Sequence, residues 1–128
     1  MILSTPSLLI TDDDRDFRET LSEVFDRRGF RTLLASDGEQ ALDIARRETV
    51  HLLLTDMHMP RLTGLETIRR IREFRSPLPC ILLSARLDEL IAEEARRANV
   101  FRFLAKPVSF REITDVVAQA LRTTFDWP

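Results

Sequence analysis

Short, unbroken apolar runs alternate with amphipathic stretches of helical length five times along this 128-residue chain, and that alternation leaves few folds open. The runs are Leu8-Leu9-Ile10-Thr11, Thr32 to Ala35, Leu52-Leu53-Leu54-Thr55, Ile81-Leu82-Leu83 and Val100 to Ala105. Apolar runs of about four to eight residues suit strands buried on both faces, as in parallel sheets. Between and after them lie stretches with helical period: Phe17, Leu21, Val24 and Phe25; Ala41, Leu42 and Ala45; Leu65, Ile68, Ile71 and Phe74. The last two are Leu87, Leu90, Ile91, Ala95 and Ala98, then Ile113, Val116, Val117, Ala120 and Leu121. Strand-helix repeated five times predicts an α/β fold: right-handed crossovers leave a parallel sheet with helices on both faces as the main arrangement.

Punctuation supports the division. Asp37-Gly38, Ser76-Pro77 and Lys106-Pro107-Val108-Ser109 break the pattern between elements, with Ser109 placed to cap the last helix. Asn99 stands where the fourth helix must stop, and Asn tolerates the left-handed conformation of a C-terminal cap. In open parallel sheets ligands bind beyond the carboxyl ends of the strands, where strand order reverses. Four of the five runs deliver a polar residue to that edge. Asp12 and Asp13, Asp56, Ser84 and Lys106 are therefore expected to converge on one small site.

Lys106 is itself unusual. It is the one lysine among 19 Lys and Arg residues. Arginine offers a planar fork for bidentate pairing, whereas lysine is a point charge on a flexible stem that can meet a single oxygen in a tight pocket. Alone, it would read equally well as a surface lysine; its neighbours at the sheet edge favour a site. Three carboxylates brought within a few ångströms repel one another unless they share protons or hold a cation. A hard divalent ion with oxygen ligands, Mg²⁺ above all, suits them. Lysine and a serine hydroxyl opposite the metal would complete a cage for a phosphoryl group, with a carboxylate as nucleophile.

The segments Leu8-Leu9-Ile10-Thr11-Asp12-Asp13-Asp14, Leu54-Thr55-Asp56-Met57-His58-Met59-Pro60-Arg61-Leu62-Thr63-Gly64, Ile81-Leu82-Leu83-Ser84-Ala85 and Phe103-Leu104-Ala105-Lys106-Pro107 resemble those of the response-regulator receiver domain of two-component signalling. The resemblance runs from about Leu8 to about Thr123. It implies a flavodoxin-like doubly wound sheet in the order 2-1-3-4-5. It implies, too, one receiver domain over 1–128, with a core of about 8–123 and a short tail, 124–128.

Position by position, the resemblance makes Asp56 the phosphoacceptor, with Ser84 and Lys106 as the groups that bind the phosphoryl oxygens. Mg²⁺ would be held by Asp13 directly, by Asp12 largely through water, by Asp56 and by the backbone carbonyl of His58. Ser84 and the aromatic Phe103 would form the conformational switch, and the Lys106-Pro107 peptide would be cis, as X-Pro bonds tolerate. The implied partners are a sensor histidine kinase or phosphotransfer protein, with a docking surface that includes the first helix, where Phe17, Arg18 and Leu21 compete for core and contact roles, and a downstream effector or output domain. Self-catalysed phosphoryl transfer and autodephosphorylation would be the chemistry, rather than turnover of a substrate. His58 and Arg86 would border the path of the hydrolytic water, and the long Arg86 side chain predicts slow loss of phosphate.

Three positions depart from the common pattern. Phe103 lacks the hydroxyl of the frequent tyrosine. Arg102 stands where one subfamily carries an acid used in dimer salt bridges, and Asn99-Val100-Phe101 replaces a frequent Gly-Ala pair, leaving Phe101 as an expected exposed apolar contact. Other conspicuous residues have plainer readings. Asp14 is expected to cap the first helix or face solvent. The His58 imidazole is expected to face solvent, with His51 at the far end of its strand and no zinc-type cluster. Cys80 reads as a core thiol, and Met57 and Met59 as packing residues.

Composition excludes more than it proposes. A net charge of −2 gives no general basis for nucleic-acid affinity, and the runs Arg69-Arg70, Glu93-Glu94 and Arg96-Arg97 read as solvated helix faces. No run approaches the roughly 18 to 20 apolar residues of a membrane span, and Met1 to Ile10 lacks the pattern of a signal peptide. One cysteine fits a reducing cytoplasm. With few residues after the fifth helix, an output domain is expected on another chain or on a removed segment. Two other functions fit less well. A phosphorylation-independent receiver-like interaction module would not need the full set of site residues. A small aspartate-nucleophile phosphatase would carry its nucleophile in the first acidic cluster, but Asp16 stands where that motif wants Thr or Val.

Overall fold

In the computed structural model, which describes residues 5–86 and 88–128, five strands alternate with five helices. They are β1 (Ser7–Thr11), α1 (Arg15–Arg27), β2 (Arg31–Ala35), α2 (Gly38–Arg47), β3 (Leu52–Asp56), α3 (Gly64–Arg72), β4 (Cys80–Ser84), α4 (Glu89–Arg97), β5 (Arg102–Ala105) and α5 (Phe110–Phe125). Leu87, expected on the fourth helix, lies outside the described residues, as does the start of the chain through Ser4. The strands form one parallel sheet in the order β2-β1-β3-β4-β5, the doubly wound arrangement expected.

Each strand sends alternate residues to opposite faces, so the apolar runs supply two cores. Leu9, Leu53 and Leu82 meet Ala41, Leu42 and Ala45 of α2, Leu65, Ile68 and Ile71 of α3 and Ala95 of α4. Leu8, Ile10, Leu52, Leu54, Ile81 and Leu83 meet Leu21 and Phe25 of α1 and Ile113, Val117, Ala120 and Leu121 of α5. All five helices start on a side-chain oxygen that accepts a backbone N–H: Asp14, Asp37, Thr63, Asp88 and Ser109. Asp14 and Ser109 thus take the capping roles expected of them, and Asn99 has the left-handed φ of 55° just beyond α4.

Some helix positions differ from the periodic reading. Phe74 lies beyond α3, exposed, under the Arg46 guanidinium, whose carbon is 5.2 Å from the ring centroid. The helix stops short because Pro77 disfavours helical backbone at Ser76. Leu90 is 75% exposed, since α4 turns Ile91, Ala95 and Ala98 inward and its neighbour points about 100° away. Phe101 is half-buried against the α1/α5 core and covered by Arg102, whose guanidinium carbon lies 5.4 Å from the ring centroid, rather than exposed. The expected tail boundary at 123/124 falls inside α5, and Trp127 folds back onto Phe30, with 5.2 Å between ring centroids.

The register aligns the strand ends. Thr11 pairs with Ala35 and Thr55, Asp56 with Leu83, and Ser84 with Ala105, so the five carboxyl ends form one edge. Backbone bonds carry that edge past the strands: Asp12 N–H to Ala35 O (3.1 Å), Met57 N–H to Leu83 O (2.7 Å) and Lys106 N–H to Ser84 O (2.7 Å).

Candidate functional site

Asp12, Asp13, Asp56, Ser84 and Lys106 meet at this edge. Asp12 follows β1 and is 1% exposed, Asp56 ends β3 and is 6% exposed, and Asp13 between them faces solvent. One oxygen of each of the three carboxylates lies within 4.8 Å of the others. Lys106 Nζ reaches across from the end of β5, donating to Asp12 Oδ2 at 2.8 Å and lying 3.2 Å from Asp56 Oδ1. Its other side rests on the Phe17 ring, 4.5 Å from the centroid, which steers the ammonium from the helix side.

The loops are built to hold these groups. Asp12 Oδ1 accepts from Asp14 N–H at 2.9 Å, and the Asp12 carbonyl accepts from Arg18 Nη1 at 2.6 Å. Gly64, at the start of α3, donates its N–H to Met57 O at 2.9 Å. An added Cβ there would overlap the Asp56 carbonyl oxygen and lie 2.8 Å from Leu82 Cδ1, so only glycine lets α3 come this near the strand end. Arg61, in the same loop with a left-handed φ of 68°, pairs with the α2 cap Asp37 at 2.7 Å.

Electrostatics follow from the crowding. Burial pushes the Asp56 carboxyl above its usual range; Lys106 pulls it down, and the neighbouring charges of Asp12 and Asp13 push it up. Burial also draws Lys106 down, but its hydrogen bond and charge contact with Asp12, and then those with Asp56, outweigh this and hold the ammonium above its ordinary value. Three acids facing one lysine leave an excess of negative charge in a half-buried, all-oxygen pocket. Such a donor set fits a hard cation of the Mg²⁺ class.

Ser84 is fully buried at the end of β4. Its Oγ donates to the Arg86 carbonyl at 3.0 Å, accepts from the Arg86 N–H at 3.1 Å and lies 3.1 Å from Nε2 of His58. The His58 side chain is exposed, as expected, and its Nε2 also contacts the serine. Phe103 is half-buried on the α4 side of the sheet, and Arg86 is exposed beside Ser84. The Lys106-Pro107 peptide is cis, and so is Ser76-Pro77. Beside Lys106 opens a cleft of about 430 Å³ walled by Phe17, Pro107, Val108 and Phe110. His51 and Cys80 are remote: His51 precedes β3 at the opposite pole, and the buried Cys80 thiol is pushed up to about 12, chiefly by desolvation.

Sequence reasoning missed two contacts. Arg18 appeared only as part of a partner surface, yet it ties α1 to the acidic loop. Nothing distinguishes it by pattern from the seventeen other arginines, because its role depends on where α1 starts relative to Asp12. The contact of His58 with Ser84 was missed for a similar reason, since a loop side chain has no period to read.

A doubly wound parallel sheet that gathers three acids, a serine and a lysine at its switch point defines a class of small α/β domains with an acidic site at the sheet edge. Residues 8–118 match the response regulator receiver domain, and the chain belongs to that family. Sporulation initiation phosphotransferase F of Bacillus subtilis (strain 168) is 33% identical over 114 residues, covering 89% of this chain and 92% of that protein. The transcriptional regulatory protein CpxR of Klebsiella pneumoniae is 36% identical over 115 residues, which are 90% of this chain but 49% of CpxR. The chain thus spans about half the length of several curated relatives it matches. Among solved structures, a receiver domain protein from Methanospirillum hungatei JF-1 superposes with a TM-score of 0.92 at 20% identity, covering 96% of this chain and 98% of that one. No described helix is long and apolar enough to cross a membrane.

Proposed function

We propose that this receiver domain takes a phosphoryl group onto Asp56 from a histidine kinase or phosphotransfer protein and changes conformation to control an output. The observation that carries the reading is the lysine bridge. Lys106 Nζ touches both a buried acid of the β1 cluster and Asp56, so a group added to Asp56 lands beside a fixed ammonium. The alternatives fit less well: an interaction module has no use for like-charged acids gathered around a lysine, and a phosphatase nucleophile at Asp12 would have both its oxygens engaged, Oδ2 by Lys106 and Oδ1 by the Asp14 amide.

In the proposed step, an Asp56 oxygen attacks the phosphorus of a phosphohistidine. The O–P bond forms as the P–N bond breaks, and the departing imidazole takes up a proton. A bound Mg²⁺ would supply neutralisation of the phosphoryl charge, held by Asp12, Asp13, Asp56 and the His58 carbonyl. Lys106 orients the transferred group, and Ser84 and Phe103 respond to it. The cytoplasm, where such phosphodonors are found, is the proposed compartment, and the whole of 1–128 is proposed to act as a single domain.

The test is intact and peptide mass spectrometry after incubation with a small phosphodonor and Mg²⁺. The expected result is one phosphoryl adduct on Asp56, absent from Asp56→Asn, whose amide is nearly isosteric but a poor nucleophile. An adduct on Asp12 would favour the phosphatase reading, and no adduct the phosphorylation-independent one.

A further inference from the structure

The Ser84 hydroxyl has one proton and two lone pairs, and all three are engaged. The proton goes to the Arg86 carbonyl, which can only accept; one lone pair takes the Arg86 N–H; the other faces His58 Nε2 at 3.1 Å. The third contact pairs Oγ with the imidazole, and the tautomer of His58 sets which of the two donates. The pair joins the loop after β3 to the end of β4. The described hydrogen bonds of Oγ run to Arg86 and His58.

We propose that His58 is a positioning residue that latches Ser84 in the unphosphorylated conformation. The inference rests on the reading of Asp56 as phosphoacceptor. For Ser84 to donate to a phosphoryl oxygen on Asp56, its proton must leave the Arg86 carbonyl, and in the proposed latch Oγ gives up the imidazole contact as it turns. Any group that holds the resting rotamer by a hydrogen bond lost in the switched one shifts the equilibrium toward rest by the free energy of that bond. His58 therefore sets how readily the domain switches, through its side chain and separately from any part its backbone carbonyl plays.

The test uses the whole chain and beryllofluoride with Mg²⁺, which mimics an acyl phosphate and needs no phosphodonor. Binding is measured by calorimetry, and the Ser84 amide resonance is followed by NMR. His58→Ala should bind beryllofluoride about fivefold tighter than wild type, the factor matching the loss of one hydrogen bond of about 1 kcal/mol from the resting state. Its ligand-free Ser84 resonance should move toward the bound position. His58→Gln, which keeps an N–H donor of similar reach, should restore wild-type behaviour, and in the Ser84→Ala background the His58→Ala effect should vanish. Wild type that binds beryllofluoride together with a His58→Ala variant that binds no tighter would overturn the latch and leave the receiver reading standing. Wild type that binds none would overturn both.

Discussion

An ammonium held between two carboxylates cannot be repositioned without disturbing both. Lys106 Nζ sits 2.8 Å from Asp12 and 3.2 Å from Asp56, with the Phe17 ring behind it, so the pocket is measured for a compact head. Lys106→Arg keeps the charge but brings a wide plane that cannot reach both oxygens in the same space. Phosphorylation by a small donor should slow by roughly 10- to 100-fold, the cost of misplacing one charged donor in such a site. Retained wild-type rates would mean that the lone lysine is an accident of residue usage. At the other pole, His51 Nδ1 accepts the Ser7 N–H at 2.9 Å, the Phe125 ring stands edge-on to it, and Arg75 is the nearby charge. Burial first and Arg75 second hold its pKa below the ordinary value. A depressed folded-state pKa means that the stabilisation is complete above the unfolded value of about 6.5 and is lost as pH falls through the lower, folded one. His51→Asn, which keeps an acceptor but does not titrate, should therefore lose less stability than wild type between about pH 7.5 and about pH 5.5 in urea unfolding. Equal losses would remove His51 from the pH response.

Helices here are defined by their starts more sharply than by their apolar faces. Thr63 and Glu66 form a reciprocal capping box at the start of α3, with N–H to side-chain oxygen distances of 2.9 and 3.1 Å, and the Thr67 hydroxyl donates to the Thr63 carbonyl. This cap closes the loop that begins at Asp56. Thr63→Ala should cost about 1 kcal/mol of stability in denaturant unfolding, and Thr63→Ser most of nothing, since Ser keeps the accepting oxygen. Equal loss in both variants would point to the methyl group instead. The elements themselves were legible in the sequence because apolar runs and helical periods record burial directly. Leu90 and Phe74 were misread because periodicity reports which residues could face a core, whereas helix rotation and the Pro77 stop decide which do. Two arginines finish the helix ends on this side. Arg75 donates to the carbonyls of Ala45, in the last turn of α2, and Glu48, its C-cap, and Arg72 to Leu78, Ala98 and Asn99, contacts that no local pattern announces.

For the whole molecule, topology does what no single motif can. Asp12 and Lys106 are 94 residues apart in the chain and in contact because β1 and β5 end on the same edge. That convergence was readable in advance, since polar residues closed four of the five apolar runs; the lateral ties from Arg18 and His58 were not, because they depend on loop geometry. A cluster of like charges gathered at one pole also predicts a linkage effect. Mg²⁺ at 100 times its dissociation constant should raise the unfolding free energy by about 2.7 kcal/mol, and Asp56→Asn should be the more stable protein without metal yet gain less from it. A mutant that gains as much as wild type would place the ion elsewhere. The opposite pole carries its own reporter. Trp127 is the only tryptophan, there is no tyrosine, and its ring lies on Phe30 just past the end of a 16-residue helix that starts near Lys106. Such a helix is about 24 Å long, so the indole is far beyond the reach of a quenching metal or phosphoryl group. Intrinsic emission of this protein is consequently a gauge of whether its last three residues are seated, and a chemist watching that light while adding Mg²⁺ would be looking at the wrong end of the molecule.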